Sequence, residues 1–320
     1  MSQPNPIITK TSKISDEIYH LDINQYNLIR SCSIYLLKTP ESIVILDTGT
    51  SNDVNSVINF MKNNNFPLKK IKYLVPSHHH FDHFGGGWKI WKAIKKFNSD
   101  IKVLTTKETQ KMLQDPENHM NRAKHTFGSF IGTMKPLPDD AYELVCPGKP
   151  IPIPGLKKRF ELIATPGHTS DHVCPSVSID NQTEFIYLSE SAGGLLHSQK
   201  LLTVPSSMPP DFNFKTYLQS IEKIITLKSL IVGFAHAGVV RGHREVLEVL
   251  NEHKEFSFFF RDFVKSNFTK KGETRYVVDQ FIEKILKSRN DLPHLSTLYT
   301  KYVIAVVYGQ LIDLGLKSPK

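Results

Sequence analysis

Cysteine is scarce in this sequence. Three of the 320 residues are cysteines, Cys32, Cys146 and Cys174, and no two of them have the CxxC spacing. An odd number of widely separated cysteines excludes a disulfide framework and a cysteine-rich zinc knuckle. Free thiols fit a reducing compartment, so we expect a cytoplasmic protein.

Long hydrophobic runs are also lacking. The most apolar late segment, residues 302–316, is interrupted by Gln310 and Asp313 and falls short of the roughly 20 residues that a membrane span requires. We therefore predict a buried helix there and expect no membrane partner. The opening stretch MSQPNPIITKTSKISDE has neither the apolar core nor the small-residue cleavage site of a secretory signal.

Basic residues are in excess, with a formal net charge of +9, but they are not concentrated. The densest groups, LKKIK at 68–72 and LKKRF at 156–160, are too short to form a basic tail. This spread is typical of a solvated, lysine-rich surface. A phosphate, nucleic-acid or acidic-metabolite partner is the alternative that the charge leaves open.

Strands and helices alternate in the first three quarters of the chain. Strands are predicted at 33–38, 42–49, 71–77, 101–106, 160–167, 172–179, 184–190 and 229–236, with helices at 52–62, 88–97 and 214–226. The first two strands are predicted to form a hairpin. From residue 241 onward only helices are predicted, at 243–267, 274–288 and 295–313. The pattern indicates an α/β catalytic domain, 1–240, followed by a helical C-terminal domain, 241–320.

Residues 75–87, VPSHHHFDHFGGG, crowd four histidines and one aspartate into six positions. The cluster follows a predicted strand and precedes a predicted helix, so it lies in a loop between them. His78 and His80 point to the same side of an extended backbone, whereas Asp82 and His83 can face a second ion. Imidazole suits zinc and iron, and a carboxylate offsets the charge of two neighbouring cations.

Three further candidate ligands each follow a predicted strand. His168 lies in TPGHT, Glu190 follows FIYLS, and His236 follows LIVGFA. Because strand ends gather at the edges of sheets, we expect these side chains to meet the histidine cluster on a rigid scaffold. The sequence therefore predicts a metal site.

These motifs resemble those of the metallo-β-lactamase superfamily. The resemblance covers about residues 18–238 and includes DTG at 47–49, HxHxDH at 78–83, GHT at 167–169, an acidic residue after a strand and the final histidine. It implies an α+β fold, a four-layer αββα sandwich, and two divalent metal ions, expected to be zinc, with iron or manganese as alternatives. It also implies two ligand groups and a bridging residue: His78, His80 and His168 for one ion, Asp82, His83 and His236 for the other, and Glu190 between them.

Glu190 departs from the family pattern, which has aspartate at that position. Because glutamate is longer by one methylene, it could bridge with a changed metal separation, bind one ion only, or leave the second site weak. Asp47 is predicted to brace the metal loop through hydrogen bonds. His79 is predicted to be structural or solvent-facing, and Asp171 and His172 are candidates for supporting or substrate-binding groups.

Such a centre predicts hydrolysis. Two divalent ions lower the pKa of a shared water, so the expected nucleophile is a metal-bound hydroxide, with Asp82 as ligand and proton acceptor. The resemblance points to a hydrolase of the glyoxalase II or lactonase kind, acting on a small ester, thioester or lactone. An iron-bound oxygen-handling or sensing protein is one alternative, although His80 stands where flavodiiron-type oxygen reductases have glutamate.

The second alternative is a metal-dependent endoribonuclease. It is suggested by the C-terminal helices, which resemble the winged-helix-like appendage of some members of the superfamily. The long β-CASP insertion of nucleic-acid-processing relatives is absent, since only 84 residues follow His236. We expect these helices to pack on the catalytic domain or to form a homo-oligomer contact, because helical appendages bury apolar stripes.

Two loop-rich regions are predicted to cover a small-molecule substrate pocket with apolar side chains. The residues concerned are Phe127, Gly128, Phe130 and Met134 in region 115–154, and Met208, Pro209, Pro210 and Phe212 in region 202–214.

Overall fold

The computed structural model describes residues 5–291 and 297–319, which form two facing β-sheets with helices on their outer surfaces. In chain order the strands are β1 (Ile7–Ile8), β2 (Ser12–Lys13), β3 (Ile18–Asp22), β4 (Ser33–Lys38), β5 (Ile43–Leu46), β6 (Ile71–Val75), β7 (Lys102–Thr105), β8 (Tyr142–Leu144), β9 (Arg159–Ala164), β10 (Val173–Ile179), β11 (Gln182–Ser189), β12 (Gly194–Leu195), β13 (Thr203–Val204), β14 (Ile231–Phe234) and β15 (Val239–Arg241).

The α-helices are α1 (Val54–Asn63), α2 (Phe81–Phe84), α3 (Gly87–Ile94), α4 (Lys107–Gln114), α5 (Glu117–Phe127), α6 (Phe214–Thr226), α7 (His243–Lys271), α8 (Thr274–Phe281), α9 (Lys287–Arg289) and α10 (Thr297–Asp313). A π-helical turn, Ile282–Leu286, joins α8 to α9. Residues 295–296 of the predicted last helix lie outside the described residues. No helix in the described ranges is long and apolar enough to cross a membrane.

The order and direction of the strands bring the loops of each sheet together at one edge. One sheet runs β2-β3-β4-β5-β6-β7-β8 and the other β1-β15-β14-β11-β10-β9, with β12 and β13 as a separate ribbon. β4 and β5 pair antiparallel, as the predicted hairpin requires, whereas β5, β6 and β7 are parallel and so are β11 and β14. Parallel neighbours end at the same sheet edge, so the loops that follow them converge.

The hydrophobic side chains build the four layers. Inward-facing residues such as Tyr35 and Val75 pack against Phe185 and Tyr187 of the other sheet. The outer face of the first sheet is covered by α1 and α3, and that of the second by α6 and α7. The expected α+β fold, an αββα sandwich followed by C-terminal helices, is confirmed.

Helix α7 belongs to two cores. Val246 and Val249, near its start, pack with the second sheet, whereas Phe256 and Phe260 pack with α8 and α10. The helices after residue 241 therefore rest on the sandwich through a continuous apolar contact. The division into domains 1–240 and 241–320 stays a prediction.

Two helices, α4 and α5, lie where no helix is predicted from the sequence. Helix α4 has an N-cap, since the Thr106 side chain accepts from the Thr109 amide. Both helices bury few side chains, Thr109 and Leu113 in α4 and Ala123 in α5. Most residues of both helices are polar, so neither contains an apolar run, which explains why the sequence analysis reads most of this region as loops.

Candidate metal centre

The histidine cluster extends from the end of β6 into the four-residue helix α2. The carbonyl of His83 accepts from the amides of Thr48 and Gly49, at 2.7 and 3.0 Å, which ties α2 to the DTG turn. A Cβ on Gly86 would lie 2.8 Å from the carbonyl oxygen of Thr50. The glycines after the motif therefore let two backbone segments approach closely enough to fix the ligand loop.

Asp47 holds the ligand loop in place through hydrogen bonds, as the sequence predicts. Its fully buried carboxylate accepts from the Ser77 amide and hydroxyl, both at 2.7 Å, from the Tyr187 hydroxyl at 2.7 Å, and faces Nδ1 of His83 at 3.1 Å. The Asp47 carboxylate therefore fixes the backbone at Ser77, just before the histidine cluster, and the orientation of the His83 ring.

The seven candidate ligands predicted from the sequence come together around the Glu190 carboxylate. Its Oε2 lies 2.7 Å from Nε2 of His168, 3.4 Å from Nε2 of His83 and 3.7 Å from Nε2 of His78, while Oε1 lies 3.6 Å from Nε2 of His236. The ligand atoms divide into two groups, in each of which they lie within 4.8 Å of one another: His78, His80, His168 and Glu190, and Asp82, His83 and His236.

Hydrogen bonds turn the histidine rings toward this point. The carbonyl oxygens of Ser206 and Ser31 lie 2.5 Å from Nδ1 of His168 and of His236. Because a carbonyl only accepts, each Nδ1 donates, and the lone pair of the neutral ring is on Nε2. In both rings Nε2 therefore faces Glu190: it can donate to the carboxylate while the ring carries a second proton, and it offers its lone pair once the ring is neutral.

Several of these nitrogens lack a protein partner. Within the described residues, the buried Nε2 atoms of His78, His83 and His236 accept or donate no hydrogen bond. Buried polar atoms are otherwise almost always satisfied, because an unpaired one costs about 1–3 kcal/mol. Divalent cations bound to imidazole nitrogen and carboxylate oxygen would satisfy all three, so the donor set fits such ions.

The pKa shifts of the clustered side chains agree with a site for divalent cations. Burial would raise the pKa of the Glu190 carboxyl, but His168, His236 and His83 hold it well below its usual range. Burial and the neighbouring histidines lower the pKa of His78 and His80 well below the usual range, so both rings are neutral, as metal ligation requires. At His83 the lowering effect of burial is outweighed, chiefly by Asp82, and the pKa is raised. This setting favours a positive charge, whether a proton or a metal cation.

The residues beside the motif have supporting contacts. His79 is buried, so the solvent-facing alternative is wrong; its Nδ1 lies 2.9 Å from Oδ1 of Asp171. The His172 ring stacks on His78 with centroids 5.0 Å apart, and the Glu190 amide approaches its Nε2 at 3.4 Å. His172 therefore contacts two candidate ligands, whereas Asp171 holds the neighbouring His79.

The sequence analysis misses His119, on α5. Its ring stacks on His80 with centroids 5.0 Å apart, and its Nε2 accepts from the Phe81 amide at 3.1 Å. His119 forms a third histidine group with His79 and His80. Since the hydrogen bond from Phe81 occupies its acceptor nitrogen, we assign His119 to holding His80 rather than to a further metal site. A single histidine in a polar stretch gives no signal of such a role.

A cavity of about 1330 Å³ opens over Glu190, His236 and Asp82. The predicted loop walls are partly right, because Phe127, Met208, Pro209 and Pro210 line it. Phe130 instead contacts Tyr26 at the surface, Met134 packs in the core against α5, and Phe212 packs beside Tyr217. Further parts of the wall come from α4, α5, residues 25–31, the ribbon β12–β13 and α10, which the sequence analysis does not place there.

Comparisons with known proteins agree with this architecture. The family model for the metallo-beta-lactamase superfamily matches residues 29–181. The metallo-beta-lactamase fold-containing protein ST1585 of Sulfurisphaera tokodaii is 30% identical over 213 residues, covering 65% of this chain and 73% of that protein. The beta-lactamase-like protein 2 homolog of Caenorhabditis elegans is 24% identical over 245 residues, covering 72% of this chain and 68% of that protein.

The crystal structure of ST1585 from Sulfolobus tokodaii superimposes on this chain with a TM-score of 0.64 at 22% sequence identity. It covers 93% of this chain and 99% of that one, so the similarity of fold includes the C-terminal helices. The 30% identity to ST1585, over 73% of that protein's length and in agreement with the family match, establishes that the chain belongs to the metallo-beta-lactamase superfamily.

Proposed function

We propose that this protein is a metal-dependent hydrolase that cleaves a small ester, thioester or lactone. The superfamily generally consists of hydrolytic enzymes that bind divalent metals. The observation that carries the proposal is the convergence of seven candidate ligands with nitrogen or oxygen donors, from loops after β6, β9, β11 and β14, at the base of a cavity.

The ligand groups fit two divalent cations, for which zinc is the first expectation. His78, His80 and His168 would hold one, Asp82, His83 and His236 the other, and the Glu190 carboxylate stands between them. Bound there, such cations lower the pKa of a water molecule to near neutrality and polarise the carbonyl that it attacks.

The protein's own side chains orient the candidate ligands and accept a proton. The Asp82 carboxylate lines the cavity, so its oxygens can reach both the second ligand group and the substrate. We assign to Asp82 the acceptance of a proton from the attacking water. The Asp47 carboxylate and the carbonyls of Ser206 and Ser31 accept hydrogen bonds from the rings of His83, His168 and His236 and hold them in place during the reaction.

The mostly apolar lining of the cavity supports a small-molecule substrate over an RNA strand. Helices α5 and α10 meet across one side, where the Lys301 ammonium donates to the Thr126 carbonyl at 2.8 Å. The C-terminal helices bury their apolar residues in a core of their own and in this wall. They are therefore accounted for without a nucleic-acid partner.

Metal analysis and a substrate screen test the proposal. The metal content of the purified full chain should be about two divalent ions per chain, and the chelated protein should regain activity with Zn²⁺. The loaded protein should hydrolyse at least one simple ester, thioester or lactone. Cleavage of RNA alone would favour the endoribonuclease alternative. Iron with oxygen consumption and without hydrolysis would favour the oxygen-handling alternative.

A further inference from the structure

Helix α10 is apolar on two opposite faces. Val303, Val306, Val307 and Leu311 are fully buried in the core that it shares with α7 and α8. On its other side the helix lines the cavity with Leu298, Tyr302, Ala305 and Ile312. A helix that is apolar all round is normally buried all round. The cavity face of α10 therefore calls for an apolar occupant.

This apolar face is long. Leu298 and Ile312 are 14 residues apart, which at about 1.5 Å per residue makes the wall roughly 21 Å long. The cavity volume of about 1330 Å³ exceeds the roughly 300–1,000 Å³ of ordinary small-ligand sites. Both dimensions fit an extended substrate better than a compact one.

Apolar side chains also form a second wall, which adjoins α10 because Leu196 and Val204 share the core of that helix. Leu195 and Val204, from the ribbon β12–β13, and Leu196 and Met208 beside it, line the same cavity. This wall begins beside the metal centre, since a Cβ on Gly194 would lie 3.1 Å from Cβ of His236. The Tyr302 ring lies 6.5 Å from that of His236. The two apolar walls thus lead directly from the reacting position.

We propose that these walls form a channel for a long apolar acyl chain, so that the substrate is an ester or thioester of a medium- or long-chain carboxylic acid. The reaction class rests on the proposed function, whereas binding of the chain does not. In the hydrolysis, water oxygen bonds to the acyl carbon and the bond from that carbon to oxygen or sulfur breaks. One proton of the water goes to the leaving alkoxide or thiolate, and the other is released to solvent, because the acyl product leaves as a carboxylate.

A chain-length series tests the channel. For p-nitrophenyl esters from acetate to decanoate, kept below their aggregation concentrations, kcat/KM of the zinc-loaded full chain should rise about three- to fourfold per added methylene, until the channel is full. A kcat/KM that is flat or falls with chain length, while acetate is cleaved, would overturn the channel and leave the proposed function standing.

Two lysine variants test whether the α10 wall contacts the acyl chain. Ile312→Lys places an ammonium in the apolar wall and should lower the decanoate-to-acetate ratio of kcat/KM roughly tenfold. The matched Leu316→Lys changes an exposed leucine just beyond the same helix, outside the cavity lining, and should leave that ratio unchanged. Equal ratios in the two variants would contradict the assignment of this wall.

Product binding gives a readout that does not depend on turnover. Calorimetric titration with butyrate, octanoate and decanoate should show affinity rising with chain length, and Ala305→Phe, which inserts a ring into the channel, should weaken decanoate most. If this pattern holds while no ester is cleaved, the channel stands and the proposed function fails. If affinity does not depend on chain length, the channel is refuted, whatever the activity.

Discussion

The main-chain carbonyl oxygen of Ser206 lies 2.5 Å from Nδ1 of His168. The hydroxyl of the same serine donates to the carbonyl of Glu190 at 2.8 Å. One residue of the 203–208 loop thus contacts two candidate ligands that come from different strands of the second sheet. The position of this loop therefore decides how His168 and Glu190 face each other.

Helix α10 holds that loop in place. The Tyr302 hydroxyl donates to the Pro205 carbonyl at 2.5 Å, and the Ser207 hydroxyl donates to the Val306 carbonyl at 2.8 Å. The helix can approach so closely because Gly309 has no side chain, since a Cβ there would lie 1.9 Å from the Ser207 carbonyl oxygen. The C-terminal helices thus help to position the metal centre, although they supply no candidate ligand.

Gly309→Ala should disturb the centre from a distance. The added methyl must push the loop away, which we expect to cost about 1–3 kcal/mol of unfolding free energy and to lower zinc affinity about tenfold or more through His168. Affinity is measured by competition with a chromophoric chelator, and stability by urea unfolding of the metal-free protein. Gly148→Ala is the control for zinc affinity: it strains only its own left-handed backbone (φ +79°), and no atom lies within 4 Å of its Cβ position. Equal zinc affinity in the two variants would refute this coupling.

Asp47→Asn should destabilise the protein itself. Oδ2 of Asp47 faces the Ser77 hydroxyl, the Tyr187 hydroxyl and Nδ1 of His83, and an amide cannot accept from all of them as well as from the Ser77 amide. Loss of buried hydrogen bonds to a charged group should cost about 1.5–3 kcal/mol in urea unfolding of the metal-free protein. Asp100→Asn, at an exposed position, should change stability little. A similar small change in both variants would show that Asp47 is not the brace.

The sequence indicates which residues come together at the candidate centre, because each is marked twice: by its residue type and by its place after a strand. His168 and Glu190 follow strands whose apolar pattern is clear without a structure. The roles of Gly309 and Tyr302 could not be predicted in this way. Their contacts join segments about 100 residues apart, and an apolar run such as 302–312 indicates burial without indicating what it is buried against.

His78→Ala and His168→Ala should each remove most of the bound metal and abolish hydrolysis. Each ring would supply a nitrogen from a buried position that solvent cannot fill in the same geometry. Metal content is measured by mass spectrometry after dialysis. His243→Ala, at an exposed site where α7 begins, is the matched control and should retain metal and activity. Full metal content in both ligand variants would refute the assignment of the site.

Glu190 is the residue at which this chain departs from the family pattern, and its carboxylate oxygens face both ligand groups. If it bridges two cations, Glu190→Gln should leave the three-histidine group filled while the other loses affinity, because a neutral amide does not offset the repulsion between two cations. Metal per chain should then fall from two toward one.

Glu190→Asp keeps the charge and shortens the reach by one methylene, so two ions should be retained, with altered turnover. Glu222→Gln, which makes the same chemical change at an exposed carboxylate, is the control and should leave the metal count unchanged. Metal per chain would be measured by mass spectrometry on all three variants beside the unmodified protein. An unchanged count in Glu190→Gln would mean that this carboxylate does not bridge, and that the two ligand groups hold their ions independently of it.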